Sequence, residues 1–256
     1  MKAPAWLPFL HELADCADAI ALRYFRSSDL EISAKSDATP VTAADLEIEQ
    51  TLRERTLARY PDLGFMGEEF GETAANPGQR LILDPIDATA NFARGIPIFA
   101  TLIALENAGE IVAGVVSAPA LSERWHAARG AGAFRGHESI RVSARTELDQ
   151  AQVFHGALGG VEATSRPPGL RRLAERARRD RGFGDFYQHV LVAQGSGELA
   201  LDPEQLKPWD IAPLQVLVEE AGGRATSVNG ERSIYAGSLI SSNGHLHDAA
   251  LAAIAG

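Results

Sequence analysis

A single cysteine, Cys16, stands in 256 residues, so the chain cannot close a disulfide on itself. A reducing cytoplasm is the expected setting for such a chain. Long apolar runs are missing as well. The longest, Ile96 to Leu105, is about half of the roughly 18 residues a membrane span needs, and it holds a threonine. His11 and Glu12 interrupt the apolar residues that follow Lys2, so no signal peptide is expected. Basic charge is also in deficit. Lys and Arg number 24 against 34 Asp and Glu, a net charge of −10, which is a poor footprint for a nucleic-acid binder. The deficit does not exclude an anionic substrate, because bound cations can invert the local field. Exposed charges beyond a Debye length of about 8 Å are largely screened in any case. What remains is ordinary for a folded chain: 45% hydrophobic and 23% charged residues, with no internal repeat and no low-complexity tract.

That length fits one large domain or two small ones. From Trp6 to Phe25, apolar residues recur at spacings of three and four, which predicts an amphipathic helix. Residues 27–41 read as a loop or ribbon with a strand near Leu30–Ile32, and a second helix follows Thr42, with Pro61 just past its end. Phe65–Met66 and Arg80–Leu83 read as short strands around a polar loop at Asn76-Pro77-Gly78. Phe99–Glu106 and Ile111–Ser117 read as a hairpin turning at Asn107-Ala108-Gly109, and strand continues from Trp125 to Phe134 through a glycine-rich turn. Past residue 150 the rhythm changes. Short strands at Gln152–His155, Glu198–Leu201, Gly223–Thr226 and Leu239–Ser241 alternate with helices at Gly169–Arg178, Phe186–Gln194, Ile211–Ala221 and His245–Ala255. The expected division is therefore 1–150 as an N-terminal α+β part and 151–256 as a smaller α/β part. The basic cluster from Arg171 to Arg181 falls on one of these helices and reads as a solvated face.

The segment Leu81-Ile82-Leu83-Asp84-Pro85-Ile86-Asp87 sets two carboxylates just beyond the end of a buried strand. Ligands collect at that edge of open α/β sheets. Asp-Pro-x-Asp is equally good turn chemistry. Three more acids follow the same logic. Glu68 follows the strand at Phe65–Met66; Asp210 precedes the helix from Ile211, where a plain N-cap with Pro213 in the first turn is the alternative; Asp45 lies on the helix after Thr42, where an exposed helix acid is the alternative.

Pro40-Val41-Thr42-Ala43-Ala44-Asp45, Gly67-Glu68-Glu69, Asp84-Pro85-Ile86-Asp87-x-Thr89-x-Asn91-Phe92 and Trp209-Asp210 with Glu219-Glu220-Ala221-Gly222-Gly223 resemble, in order and spacing, the inositol monophosphatase family. The resemblance runs from about residue 5 to 255. It implies an α/β (α+β type) fold, a layered αβαβα sandwich, usually dimeric, and a magnesium-dependent, lithium-sensitive phosphomonoesterase. By matched position it implies that Glu68, Asp84, Asp87, Asp210 and the carbonyl of Ile86 hold two or three metal ions. Thr89 with Asp45 would orient the attacking water, with Glu68 beside them. The amides of Ala88 and Thr89, with Asp87, would face the phosphate. A donor set of carboxylates and a carbonyl, without cysteine or histidine, suits Mg2+ or Mn2+ better than zinc. Such ions neutralise a phosphate dianion and lower the pKa of a bound water. The family usually has glycine where this chain has Ala88. At positive φ, alanine costs on the order of 1–2 kcal/mol; at negative φ its methyl only narrows the room beside the phosphate.

The second half resembles the histidinol-phosphate phosphatase branch, through Arg94-Gly95-Ile96-Pro97-Ile98-Phe99-Ala100-Thr101-Leu102, Arg181-Gly182-Phe183-Gly184-Asp185-Phe186-Tyr187-Gln188-His189 and Ala200-Leu201-Asp202-Pro203. That substrate carries an ammonium and an imidazole. Asp185 and Asp202 could pair with the first, and His189 or Gln188 could meet the second. Each has a plainer reading too: Asp185 as a helix cap, His189 as a satisfied structural histidine, Lys35 and Arg94 as surface charges rather than phosphate guides. Inositol hydroxyls could use the same acids, so an inositol-1-monophosphatase of broad specificity is the alternative. A 3′-phosphonucleotide phosphatase lacks an evident adenine pocket, and a non-catalytic metal-binding homologue has only Ala88 in its favour. The run Gly130-Ala131-Gly132 to Gly136 has the wrong spacing for a dinucleotide fingerprint. The expected partner is a small phosphorylated alcohol, with no nucleic acid and no membrane, and the chain is expected to form a cytoplasmic homodimer.

Overall fold

Apolar residues at helical spacing wind α1 (Leu7–Tyr24), which buries Leu10, Leu13, Ala14, Ala17 and Ala21. In the computed structural model, which describes residues 2–27, 32–34, 40–73, 78–156 and 169–255, a two-stranded ribbon follows. It pairs β1 (Ile32–Ala34) with β2 (Pro40–Thr42) and leads into α2 (Ala43–Arg59). Of the expected strand near Leu30–Ile32, only Ile32 is described; Leu30, Lys35, Asn76 and Pro77 lie outside the described residues.

An eight-stranded sheet comes next: β3 (Gly64–Gly67), β4 (Gly71–Thr73), β5 (Gln79–Asp87), β6 (Ala100–Asn107), β7 (Glu110–Ala118), β8 (Glu123–Ala128), β9 (Gly132–Arg135) and β10 (Glu138–Ile140). Its order is β10-β9-β8-β7-β6-β5-β3-β4, antiparallel except where β3 runs parallel to β5. A single short helix, α3 (Thr89–Ala93), sits between β5 and β6. A five-stranded sheet follows, built from β11 (Gln152–His155), β12 (Arg179–Gly182), β13 (Leu199–Asp202), β14 (Arg224–Thr226) and β15 (Leu239–Ser242), ordered β12-β11-β13-β15-β14. Its helices are α4 (Gly169–Arg176), α5 (Asp185–Ala193), α6 (Pro208–Glu220) and α7 (His247–Ala255).

Strand alternation explains the layering. On β5, Leu81 and Leu83 join the core beneath α1 and α2, while Ile82 joins the core beneath α5 and α6. A strand covered on both faces reads as a continuous apolar run, as this one does. The opposite face of α5 packs on Phe154 and Ala200 of the smaller sheet, and α4 and α7 cover that sheet's outer face through Leu170, Leu173, Ala250 and Ile254. The order is α1/α2, large sheet, α5/α6, small sheet, α4/α7, the expected αβαβα sandwich. Among the described residues, no helix is long and apolar enough to cross a membrane.

Three sequence expectations need correction. The basic cluster does not lie on one helix: α4 ends at Arg176, and Arg179–Gly182 form the exposed edge strand β12. The short edge strands β4 and β10 were not expected either, since exposed edges carry no apolar alternation. Finally, α6 starts at Pro208, so Pro213 falls inside the helix and not in its first turn.

Candidate active site

Three backbone devices bring the acids together. Between Asp84 and Asp87 the register of β5 against β6 shifts, a bulge that re-aims successive side chains at the sheet end. The Thr101 hydroxyl fixes the bulge by donating to the Pro85 carbonyl at 2.8 Å. Ala88 then adopts φ 66°, ψ 45°, the left-handed region, and α3 begins at Thr89. The alanine strain expected for positive φ is therefore present at this turn. The amides of the first turn of α3 have no partner inside that helix, and Ala88, Thr89 and Ala90 all line a cavity of about 760 Å3.

The other two devices are helix starts. Asp45 is the third residue of α2, fully buried, and its Oδ2 accepts the Thr42 N–H at 2.8 Å and the Thr42 hydroxyl at 2.5 Å. It is a capping-box acid, not an exposed one. Burial pushes its carboxyl up to about 7, with the charges of Glu69 and Glu68 adding to the effect. Asp210 is likewise the third residue of α6, not its N-cap, and its Oδ2 accepts the Lys207 N–H at 2.7 Å. Burial raises it to about 7 as well.

One carboxylate oxygen from each of Asp84, Asp87 and Asp210 lies within 4.8 Å of the others. Burial first, then the charges of Glu68, Asp87, Asp210 and Asp45, hold the Asp84 carboxyl well above its ordinary range. Asp87 is raised too, by burial and then by Asp185. Asp84 Oδ1 is buried with no hydrogen-bond partner. A crowded, desolvated set of hard oxygens with an orphaned acceptor fits a hard divalent cation such as Mg2+. Glu68 lines the same cavity but is not one of the three clustered acids. The Ile86 carbonyl accepts the Thr89 hydroxyl at 2.9 Å, so in this structure Thr89 is turned to Ile86 and not to Asp45.

Sequence reasoning missed Glu49. It lies one helical turn beyond Asp45 and is fully buried; Oε2 accepts the Glu69 N–H at 2.7 Å and Oε1 the Phe70 N–H at 3.0 Å. Arg53 pairs with it at 3.0 Å and lies over the Phe65 ring. A Cβ on Gly67 would overlap the Glu49 carboxylate, so only glycine lets the chain pass and present Glu68. The available signal was the Asp45–Glu49 spacing, which puts both acids on one face of α2.

The far end of the cavity is built by α5, β13 and the segment before α6. Gly184 holds the N-cap position of α5 without a side-chain cap, and Asp185 is the first helical residue at φ 52°, so the cap reading of Asp185 fails. The Phe186 N–H donates to Asp87 Oδ2 at 2.7 Å and ties the two ends together. His189 lines the cavity, yet both ring nitrogens are engaged: Nε2 with Asp202 Oδ2 at 2.9 Å and Nδ1 with the Ser241 hydroxyl at 2.8 Å. It therefore has no nitrogen left for a ligand's imidazole. Gln188 Nε2 donates to the same Asp202 oxygen at 2.5 Å. Phe186, Leu206, Trp209 and Leu214 supply apolar wall, and Lys207, another residue the sequence reading passed over, stands at the rim. Arg94 is exposed and lines none of it.

Comparisons with known proteins agree over the whole length. The model of the inositol monophosphatase family matches residues 5–256. A histidinol-phosphatase of Mycobacterium tuberculosis is 43% identical over 93% of this chain and 94% of its own, and one of Streptomyces coelicolor is 40% identical over 94% of each. An inositol-1-monophosphatase of Rhizobium meliloti is 34% identical over 89% of this chain and 87% of its own. Among solved structures, the extragenic suppressor protein suhB of Bartonella henselae superposes with a TM-score of 0.90 at 32% identity, covering 98% of both chains.

Proposed function

Since the chain belongs to the inositol monophosphatase family and is a phosphoric monoester hydrolase, we propose that it is a magnesium-dependent histidinol-phosphatase, hydrolysing L-histidinol phosphate to L-histidinol and phosphate in histidine biosynthesis. The observation that carries this reading is the far end of the cavity. Asp185 and Asp202 stand beside an apolar wall that includes Phe186 and Trp209, a setting for an ammonium next to a flat ring. The higher identity to histidinol-phosphatases than to inositol-1-monophosphatases supports it. The second reading, an inositol-1-monophosphatase, rests on the capacity of the same two acids to accept hydroxyls.

Asp84, Asp87, Asp210, Glu68 and the Ile86 carbonyl would hold two or three Mg2+ ions, the carbonyl having a second lone pair beyond the one Thr89 uses. When bound, the metal neutralises the phosphate dianion, acidifies the attacking water and steadies the leaving oxygen. The Ala88 and Thr89 amides donate to phosphate oxygens at the start of α3. Passing a proton from the water through the Thr89 hydroxyl to Asp45 requires that hydroxyl to leave the Ile86 carbonyl. Asp45, whose Oδ1 is buried without a hydrogen-bond partner, then stands ready to take a proton. Residues 1–150 thus carry most of the reacting groups, while 151–256 select the alcohol and lend Asp210. The family's lithium sensitivity and dimeric state, and a cytoplasmic setting, belong to the same proposal. The test is phosphate release from histidinol phosphate and inositol 1-phosphate with and without chelator. Chelator-sensitive turnover that favours histidinol phosphate is the expected outcome, and a preference for inositol 1-phosphate would overturn the substrate assignment.

A further inference from the structure

One buried polar contact of the alcohol end runs away from the cavity. Ser241 lies on β15 opposite Ala200 of β13, fully buried, and its hydroxyl meets His189 Nδ1. His189 is 1% exposed and reaches from α5 to Asp202 at the end of β13. The bonds from His189 and Gln188 both fall on Asp202 Oδ2, which leaves Oδ1 for a ligand. Gly156 leaves room beside Oδ1, where a Cβ would come within 2.9 Å of it. A carboxylate held at one oxygen by two donors presents the other in a fixed direction. A neutral imidazole that accepts from the serine at Nδ1 is left with its proton on Nε2, the nitrogen facing Asp202.

We infer that His189, oriented by Ser241, is a positioning residue that aims Asp202 at the cationic part of the substrate alcohol, and so sets selectivity without itself touching the reacting atoms. The inference rests on the histidinol-phosphatase reading and deepens it. An aryl phosphate, which offers no cation, does not use this device, whereas every substrate uses the clustered acids at the other end. A merely structural His189 would act on all substrates alike.

The test compares His189→Ala, His189→Gln and Ser241→Ala with wild type on histidinol phosphate, inositol 1-phosphate and p-nitrophenyl phosphate. Circular dichroism monitors folding. For His189→Ala the expected result is a rise in KM for histidinol phosphate of about tenfold, the size of one charge-assisted hydrogen bond, with kcat and the KM for the aryl phosphate nearly unchanged. His189→Gln, whose amide nitrogen reaches as far as the imidazole Nε2 and can still donate to Asp202, should recover part of that loss. Ser241→Ala, which reaches no ligand, should move the same constant in the same direction by a smaller factor, and it serves as the reporter if His189→Ala misfolds. Equal changes on all three substrates, or none, would overturn the inference. Wild-type preference for inositol 1-phosphate would instead overturn the underlying substrate reading. The variants would then be judged on inositol 1-phosphate against the aryl phosphate, where selective loss supports the positioning role and parallel loss refutes it.

Discussion

At the phosphate end of the cavity, side chains stand where the main chain puts them: Asp84 and Asp87 on a bulge, Asp45 and Asp210 at the third residue of a helix, Glu68 beyond a glycine. At the alcohol end, Asp202 is aimed by other side chains, Gln188 and His189, that arrive from α5. On the proposed reading, the first construction serves the hydrolytic step and the second selects the alcohol, and the second can be altered one side chain at a time.

The largest expected effects fall at the phosphate end. Asp84→Asn and Asp210→Asn should each cut kcat at least about a hundredfold on every substrate, because a catalytic metal contributes several kcal/mol. Near-normal phosphate release at saturating Mg2+ in either variant would break the assignment. Glu49→Gln should weaken Mg2+ binding about 10- to 100-fold, as loss of a supporting partner usually does, because one of the two amides it holds beside Glu68 is left facing an NH2 group. Titration calorimetry reads that change, and unaltered affinity would remove Glu49 from the supporting set.

The contrast between the ends also decides what sequence alone discloses. Strand-end and helix-start acids are local, so Asp84, Asp87, Glu68 and Asp210 were legible as short motifs, and the apolar runs of β5, β6 and β7 were legible as strands. Glu49 was not legible: an acid in the middle of a helix looks solvated until Gly67 packs against it. A satisfied His189 was one of the two readings the sequence offered, but its partner Ser241, 52 residues further along the chain, was not legible. The edge strands β4, β10 and β12 carry exposed polar residues and no alternation, so they announced nothing.

Smaller effects sharpen the comparison. Asp185→Ala should raise KM for histidinol phosphate about tenfold while leaving that of an aryl phosphate near wild type; equal effects on both would remove Asp185 from the alcohol end. Away from both ends, His247 is buried between the Thr226 and Ser242 hydroxyls, and burial lowers it to about 4 from an ordinary 6.5. The unfolded chain takes up this proton first, so the contribution to stability is complete above about 6.5 and is lost as pH falls towards about 4. Thermal melts should therefore decline across that window, and His247→Asn should flatten part of the slope; an unchanged slope would clear His247. The smallest expected change is Ala88→Gly, which relieves the left-handed strain by about 1 kcal/mol and should raise Tm by about 2–4 °C. A fall in Tm would show that the methyl is needed at this turn.

The central claim is that a common hydrolytic end has been joined to an alcohol end that selects a cationic substrate. It is tested most directly by the ratio of kcat/KM for histidinol phosphate to that for inositol 1-phosphate, measured side by side at saturating Mg2+. A ratio far above one is expected, with turnover of both substrates abolished by chelator. A ratio below one would contradict it and return Asp185 and Asp202 to the binding of hydroxyls.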